Sequence, residues 1–243
     1  MTSERIVFLP GLLCDDAVWT HQQASLAPRA ESFVADYGSL DSLPGMAARV
    51  LDEVPFQTFS LAGHSMGGRV ALEIVRQAPR RVQRLALLDT GYEPIAAGEA
   101  GDQEKAKRMN LLQRAREHGM REMGKLWAPG MVHPDQLNTP LFDEVLDMIE
   151  RRTPDQFEAQ INALLARPDA EPVLRALDLP TYIICGRQDA WSPFARHEVM
   201  SSMVPARHAR LVAVEDCGHM STMEKPDEIS ALLAQWLDAP AAH

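Results

Sequence analysis

The sequence predicts an α/β fold, a mostly parallel sheet flanked by helices, with a helical insertion after the fourth predicted strand. Three observations predict it. Short apolar runs alternate with helix-like stretches through residue 92, strand-like runs vanish over 93–175, and they return in 176–243. The expected division is a core of 1–92 with 176–243, and a helical cap of 93–175 that is longer than an ordinary connection.

The run IVFL (6–9) reads as the first buried strand and AVWTHQQASLA (17–27) as a helix. SFVA (32–35) reads as the second strand, followed by a helix around 46–51. TFSLA (58–62) is the third, GRVALEIVRQA (68–78) a helix that stops before Pro79, and LALL (85–88) the fourth. Such runs have no polar face, so both sides of the sheet need cover. In the insertion, Phe142, Val145, Leu146 and Ile149 share one helical face, as do Phe157, Ile161, Leu164 and Leu165. Thr153, Pro154 and Gln156 spell a capping box with proline at the first helical position. TYIIC (181–185) and RLVAV (210–214) are the last strands, and EISALLAQWL (228–237) the final helix.

Composition narrows the function classes. The 243 residues are 46% hydrophobic and 24% charged, enough to bury a full core. A net charge of −10 without a basic stripe argues against nucleic acid or an anionic membrane as partner. Pro10 and Gly11 break the first apolar run at once, so it reads as neither a leader nor a membrane span. Cys14, Cys185 and Cys217 are too scattered for a disulfide framework and read as reduced thiols of a cytoplasmic protein. No CxxC or HExxH spacing calls for a metal, and no cofactor is expected. GMREMGKL (119–126) nearly matches a phosphate-binding loop, but Leu126 stands where a magnesium-binding hydroxyl belongs and no strand feeds it.

The chemistry starts at GHSMGG (63–68). A serine in GxSxG between a strand and a helix sits on a strained turn that projects its hydroxyl, and the glycines let strand and helix approach. The alternative is a bare glycine turn. A serine hydroxyl is a weak nucleophile until a base takes its proton. GRQDAWSP (186–193) follows the fifth strand and VEDCGHMSTMEKP (214–226) the sixth, which puts Asp189 and His219 on loops at carboxyl ends of strands. Ser65 is thus the candidate nucleophile, His219 the base and Asp189 the acid that orients it. Asp89, also after a strand, is the rival acid, and Asp216 reads as a turn residue. His64 should pack under the turn, while His118, His197 and His208 should be solvated. The N–H groups of Met66 and of Leu12, in the LPGLLCD loop (9–15), are the candidate oxyanion donors. Cys14 beside them reads as a bystander.

Taken together, PGLLCDDAVW, GHSMGG, GRQDAWSP and CGHMSTMEKPDEI make the chain resemble the α/β-hydrolase superfamily, in its compact capped branch of esterases and lactonases, across nearly its whole length. It is most similar there to small carboxylesterases of the pimeloyl-carrier-protein methyl esterase type. Two departures from the family pattern are read in the sequence: Pro10-Gly11 replaces the usual His-Gly, and the two edge strands of larger members are not expected. The resemblance implies that the insertion covers Ser65 and forms an acyl pocket. The candidate lining is Met123, Trp127, Phe142, Trp191 and Met220, although helical spacing alone would also bury such residues. The expected activity is hydrolysis of a small or medium apolar carboxylic ester, thioester or lactone, with a small-molecule substrate as the partner. Two alternatives stay open: carbon–carbon bond hydrolysis, whose enzymes tend to carry a different oxyanion loop, and a ligand sensor that keeps the triad.

Overall fold

The computed structural model describes residues 4–242. Six strands form one sheet: β1 (Glu4–Leu9), β2 (Ala30–Val34), β3 (Phe59–His64), β4 (Val82–Leu88), β5 (Thr181–Gly186) and β6 (Ala209–Val214), in the order β2-β1-β3-β4-β5-β6. Every neighbouring pair is parallel. All carboxyl ends therefore share one edge of the sheet. Every residue of the inner strands β3 and β5 is buried, whereas the outer strands β2 and β6 are mostly half-exposed. That contrast explains the apolar runs in the centre and the mixed ones at the edges.

Helices α1 (Thr20–Leu26), α2 (Leu43–Glu53) and α3 (Met66–Gln77) connect the first four strands. The sheet order reverses between β1 and β3, and open parallel sheets bind ligands in the crevice outside such a switch point. The loop after β1 and the turn after β3 both open there.

Between β4 and β5 the chain is helical: α4 (Glu99–His118), α5 (Met120–Trp127), α6 (Pro140–Glu150), α7 (Pro154–Leu165) and α8 (Glu171–Arg175). The stretch that mimicked a phosphate loop is α5 itself. Gly124 in α5 lets Leu146 and Ile149 of α6 close against it. The capping box forms at Thr153 and Gln156 and starts α7. The two ends of the insertion meet where the Ala170 N–H donates to the Tyr92 carbonyl at 3.0 Å. Helix α8, near the end of the insertion, packs on α3.

Helices α9 (Phe194–Met203), α10 (Ser221–Glu224) and α11 (Pro226–Leu237) complete the chain. The helix α1 packs on α11, while α2 packs on α3, and α8 touches both α3 and α9. Right-handed crossovers put these two groups on opposite faces of the sheet. No helix among the described residues is long and apolar enough to cross a membrane. All three cysteines are buried and unpaired.

Candidate active site

Ser65 is the hinge between β3 and α3, with φ 53° and ψ −117°. A non-glycine residue at positive φ is strained, so its surroundings must hold it. The Ser65 N–H donates to the Leu88 carbonyl at 2.9 Å, and the Thr90 hydroxyl donates to the Ser65 carbonyl at 2.6 Å. A Cβ on Gly67 would overlap the Leu9 carbonyl oxygen, and one on Gly63 would overlap the Gly67 carbonyl. The glycines are therefore there for close approach of α3 to the sheet.

The sequence-expected trio comes together. Ser65 Oγ lies 2.8 Å from His219 Nε2, and His219 Nδ1 lies 2.8 Å from Asp189 Oδ2. Asp189 Oδ1 accepts the N–H groups of Trp191 and Ser192, both at 2.8 Å, which orients the carboxylate on the loop after β5. With Nδ1 donating to the carboxylate, Nε2 is left to accept the serine proton. Burial works against charge on Asp189, but His219 and the two N–H donors outweigh it and hold the carboxyl below its ordinary range. Burial also opposes charge on His219, yet Asp189 more than compensates and raises the imidazole above 6.5.

Asp89 sits beside this trio rather than in it. Its carboxylate accepts the Gly186 N–H at 2.9 Å and bonds the Ser221 hydroxyl. Burial, then the nearby Asp189 charge, push its carboxyl well up. Asp216 is a turn residue, at φ 50°.

The His219 loop is tied down from the insertion. The N–H groups of His219 and Met220 both donate to the Met131 carbonyl, at 2.8 and 3.1 Å. The Glu224 carboxylate collects the N–H groups of Gly218, Met220 and His133. His64 lies under the turn as expected, fully buried, with Nε2 on the His219 carbonyl at 2.7 Å. Burial pushes its imidazole down to about 3, so it stays neutral. Nothing in the sequence marked Glu224 or the bond made by His64, because both act through loops whose meeting is a tertiary event.

Leu12 and Met66 both face the cavity next to Ser65. Their N–H groups have no acceptor among the described residues. Three contacts hold the Leu12 loop: Gln160 of α7 accepts the Leu13 N–H at 2.8 Å, Arg152 donates to the Cys14 carbonyl, and Tyr37 donates to the Pro10 carbonyl. Cys14 lines the same cavity, but burial pushes its thiol up to about 12, which keeps it protonated.

The cavity above Ser65 holds about 580 Å³, within the usual range for a small-molecule site. Of the five expected lining residues, Trp127 and Trp191 lie on it. Their rings meet tilted by 32° with centroids 4.8 Å apart, and Trp191 continues to His219 at 5.2 Å. Met123, Phe142 and Met220 do not line it. Met123 and Met220 are fully buried in the core, and Phe142 packs against that core from its edge. For Met123 and Phe142, which lie in helices, the helical spacing was a packing signal. The lining is also less apolar than expected, since Arg69, Arg108, Arg167 and Arg196 reach it. His197, expected in solvent, is buried instead, and its Nε2 accepts the Thr90 N–H at 3.0 Å. His118 and His208 are on the outside, His118 half-exposed and His208 less so.

Asp89, Cys185 and Asp189 place ligand atoms within 4.8 Å of one another. Asp189 is engaged with His219 and two N–H groups, Asp89 with Gly186 and Ser221, and the Cys185 thiol with the Gly186 and Ser192 carbonyls. The donor set is thus occupied by hydrogen bonds within the protein.

An all-parallel sheet with a strained serine turn and a Ser–His–Asp chain at its carboxyl edge defines a hydrolase-type architecture. A family model described as the alpha/beta hydrolase family matches residues 6–232, and the chain belongs to that family. It is 27% identical over 235 residues to a pimeloyl-[acyl-carrier protein] methyl ester esterase of Nitrosomonas europaea, covering 92% of this chain and 91% of that one. It is 25% identical over 260 residues to a 2-hydroxy-6-oxononadienedioate/2-hydroxy-6-oxononatrienedioate hydrolase of Escherichia coli, covering 98% and 88%. In structure it is similar to a malate-bound thermophilic esterase from Thermogutta terrifontis, with TM-score 0.84, 24% identity and coverage of 98% and 90%.

Proposed function

We propose that this protein is a serine hydrolase that cleaves carboxylic esters, thioesters or lactones through an acyl-serine intermediate. The observation that carries the reading is the unbroken chain from Ser65 Oγ to His219 to Asp189, with 2.8 Å at each link. His219 takes the Ser65 proton as the oxygen attacks the carbonyl carbon, and Asp189 stabilises the imidazolium that forms. The carbonyl oxygen becomes an oxyanion between the N–H groups of Leu12 and Met66. The bond from the carbonyl carbon to the leaving oxygen, or to sulfur in a thioester, breaks as His219 gives the proton to that leaving atom. Water, deprotonated in turn by His219, then releases the acid and restores Ser65.

The cap of 93–175 supplies the roof of this site, and Trp127, Trp191 and Phe157 form its aromatic wall. Three free buried thiols support a reducing, cytoplasmic setting. A second reading is carbon–carbon bond hydrolysis, which the name of the Escherichia coli relative favours. A panel of p-nitrophenyl esters tests the first reading: turnover that is lost in Ser65→Ala is expected. Absence of turnover on every ester, with cleavage of a ring-fission product instead, supports the second.

A further inference from the structure

The cavity above Ser65 is cationic in an acidic protein. Five cationic side chains and two acidic ones line it, while the chain as a whole carries a net charge of −10. The acids are already committed. Glu104 of α4 is gripped by Arg167 at 2.7 and 2.8 Å and by Arg108 at 3.0 and 2.9 Å. The Glu93 carboxylate meets Arg196 Nε at 3.3 Å.

Arg69 is left over. Its Nη1 donates to the Glu93 carbonyl at 2.9 Å, and no carboxylate pairs with it among the described residues. It lies four residues after Ser65, one turn along α3 and on the same helical face, so both look into one cavity. Gly91 makes room for it. A Cβ at Gly91 would stand 2.7 Å from Arg69 Nη2, 3.2 Å from Arg196 Cδ and 3.6 Å from Arg196 Nη1. Two guanidinium groups from α3 and α9 therefore converge over a position that only glycine leaves open. Burial, then the charges of Arg167 and Arg196, depress the Arg69 guanidinium to about 9. A cation in that setting is uncompensated and awaits an anion.

We propose that Arg69 and Arg196 form a carboxylate subsite, so that the substrate is a monoester of a dicarboxylic acid whose free carboxylate lies at the far end of the acyl group. This rests on the ester-hydrolase reading for the reaction and on the arginines for the selectivity. The remote carboxylate is unchanged by the reaction: ester and water give dicarboxylic acid and alcohol. The planar guanidinium fork suits a carboxylate and holds the chain extended from Ser65. Arg196 keeps its own pair with Glu93 and donates Nη1 to the Trp191 carbonyl at 3.3 Å, so a neutral acyl chain would leave Arg69 without a counter-ion, which is how such sites reject analogues.

Two measurements test it at neutral pH. The first compares kcat/KM for p-nitrophenyl monoesters of dicarboxylic acids, from adipate to suberate, with esters of monocarboxylic acids of equal length. Wild type should prefer the anionic ester by about tenfold or more at its best length, and Arg69→Met should bring the ratio close to one. The second is calorimetry of adipate, hexanoate and inorganic phosphate on the full chain, with circular dichroism to confirm that Arg69→Met is folded. Adipate should bind at least about tenfold more tightly than hexanoate, and the folded variant should lose that difference. The proposal is overturned if neutral esters are preferred at every length, if adipate and hexanoate bind alike, or if phosphate outcompetes adipate. Should neither ester be turned over, the hydrolase reading fails, and the calorimetry alone decides the subsite.

Discussion

Asp89 and Asp189 bring carboxylate oxygens within 4.8 Å of each other, both buried next to His219. Two like charges this close in a dry site cannot both be ionised at little cost, so their environments separate their roles. Asp189 has His219 and two backbone donors to stabilise its charge. Asp89 has one backbone donor and one hydroxyl, and burial pushes its carboxyl up. On this account Asp189 is the charged orienter and Asp89 a neutral neighbour. Asp189→Asn should lower kcat roughly a thousandfold to ten-thousandfold, as the tautomer of His219 inverts. Asp89→Asn, close to the shape of a neutral acid, should cost less than about tenfold. Steady-state kinetics on the two variants checks the assignment, and the reverse order would refute it.

The rate should follow one ionisation on its acid side. His219 must be neutral to take the serine proton, and Asp189 raises its imidazole above 6.5. The acid limb of kcat/KM should therefore have its midpoint above 6.5 in wild type. In Asp189→Asn the residual activity should lose that upward shift, because the stabilising anion is gone. A pH profile of both proteins on a neutral ester decides this, and an acid limb that stays in place would remove Asp189 from contact with the titrating group.

Stability should carry the opposite signature at His197. Burial pushes this imidazole down to about 4, against 6.5 in an exposed histidine. Between those values the unfolded chain binds the extra proton, so stability present above 6.5 is lost as pH falls toward about 4. The loss at pH 5 is about 2 kcal/mol. Asp89 pulls the other way, since a raised carboxyl favours the folded state as pH falls, but it does so in wild type and variant alike. His197→Gln should therefore flatten the fall in melting temperature between neutral and mildly acidic pH. An unchanged slope would mean that His197 is not held neutral.

The loop that carries Leu12 is tied to the insertion by Gln160 and Arg152, and the Gln160 bond is the buried one. Gln160→Leu leaves the Leu13 N–H without its acceptor, at a cost of about 1–3 kcal/mol. The accompanying shift of the Leu12 N–H should lower kcat about tenfold or more while KM changes less. Denaturant melts together with kinetics separate the two effects. A variant with full kcat would show that Leu12 is not an oxyanion donor.

Much of this was legible in the residues. The elements are legible because each strand is either apolar throughout or bounded by turn residues, and Thr153 with Gln156 announces its helix. The trio is legible because Ser65, Asp189 and His219 each follow a strand, and all carboxyl ends of a parallel sheet share an edge. What was hidden depends on contacts between distant segments. His197 looks polar and helical, yet α9 turns it onto the Thr90 N–H. Met123 carries the apolar pattern of a pocket wall and belongs to the core, since periodicity reports a buried face without saying what buries it. The arginines of the cavity come from α3, α4, α7, α9 and their flanks, and no sequence window contains them together.

In the proposed reaction Ser65 is a nucleophile activated by His219. Intact mass after treatment with a serine-reactive phosphonate tests it most directly. One covalent adduct is expected on wild type, mapped to Ser65, and none on Ser65→Ala. An unmodified wild type, or an equal adduct on Ser65→Ala, would contradict it.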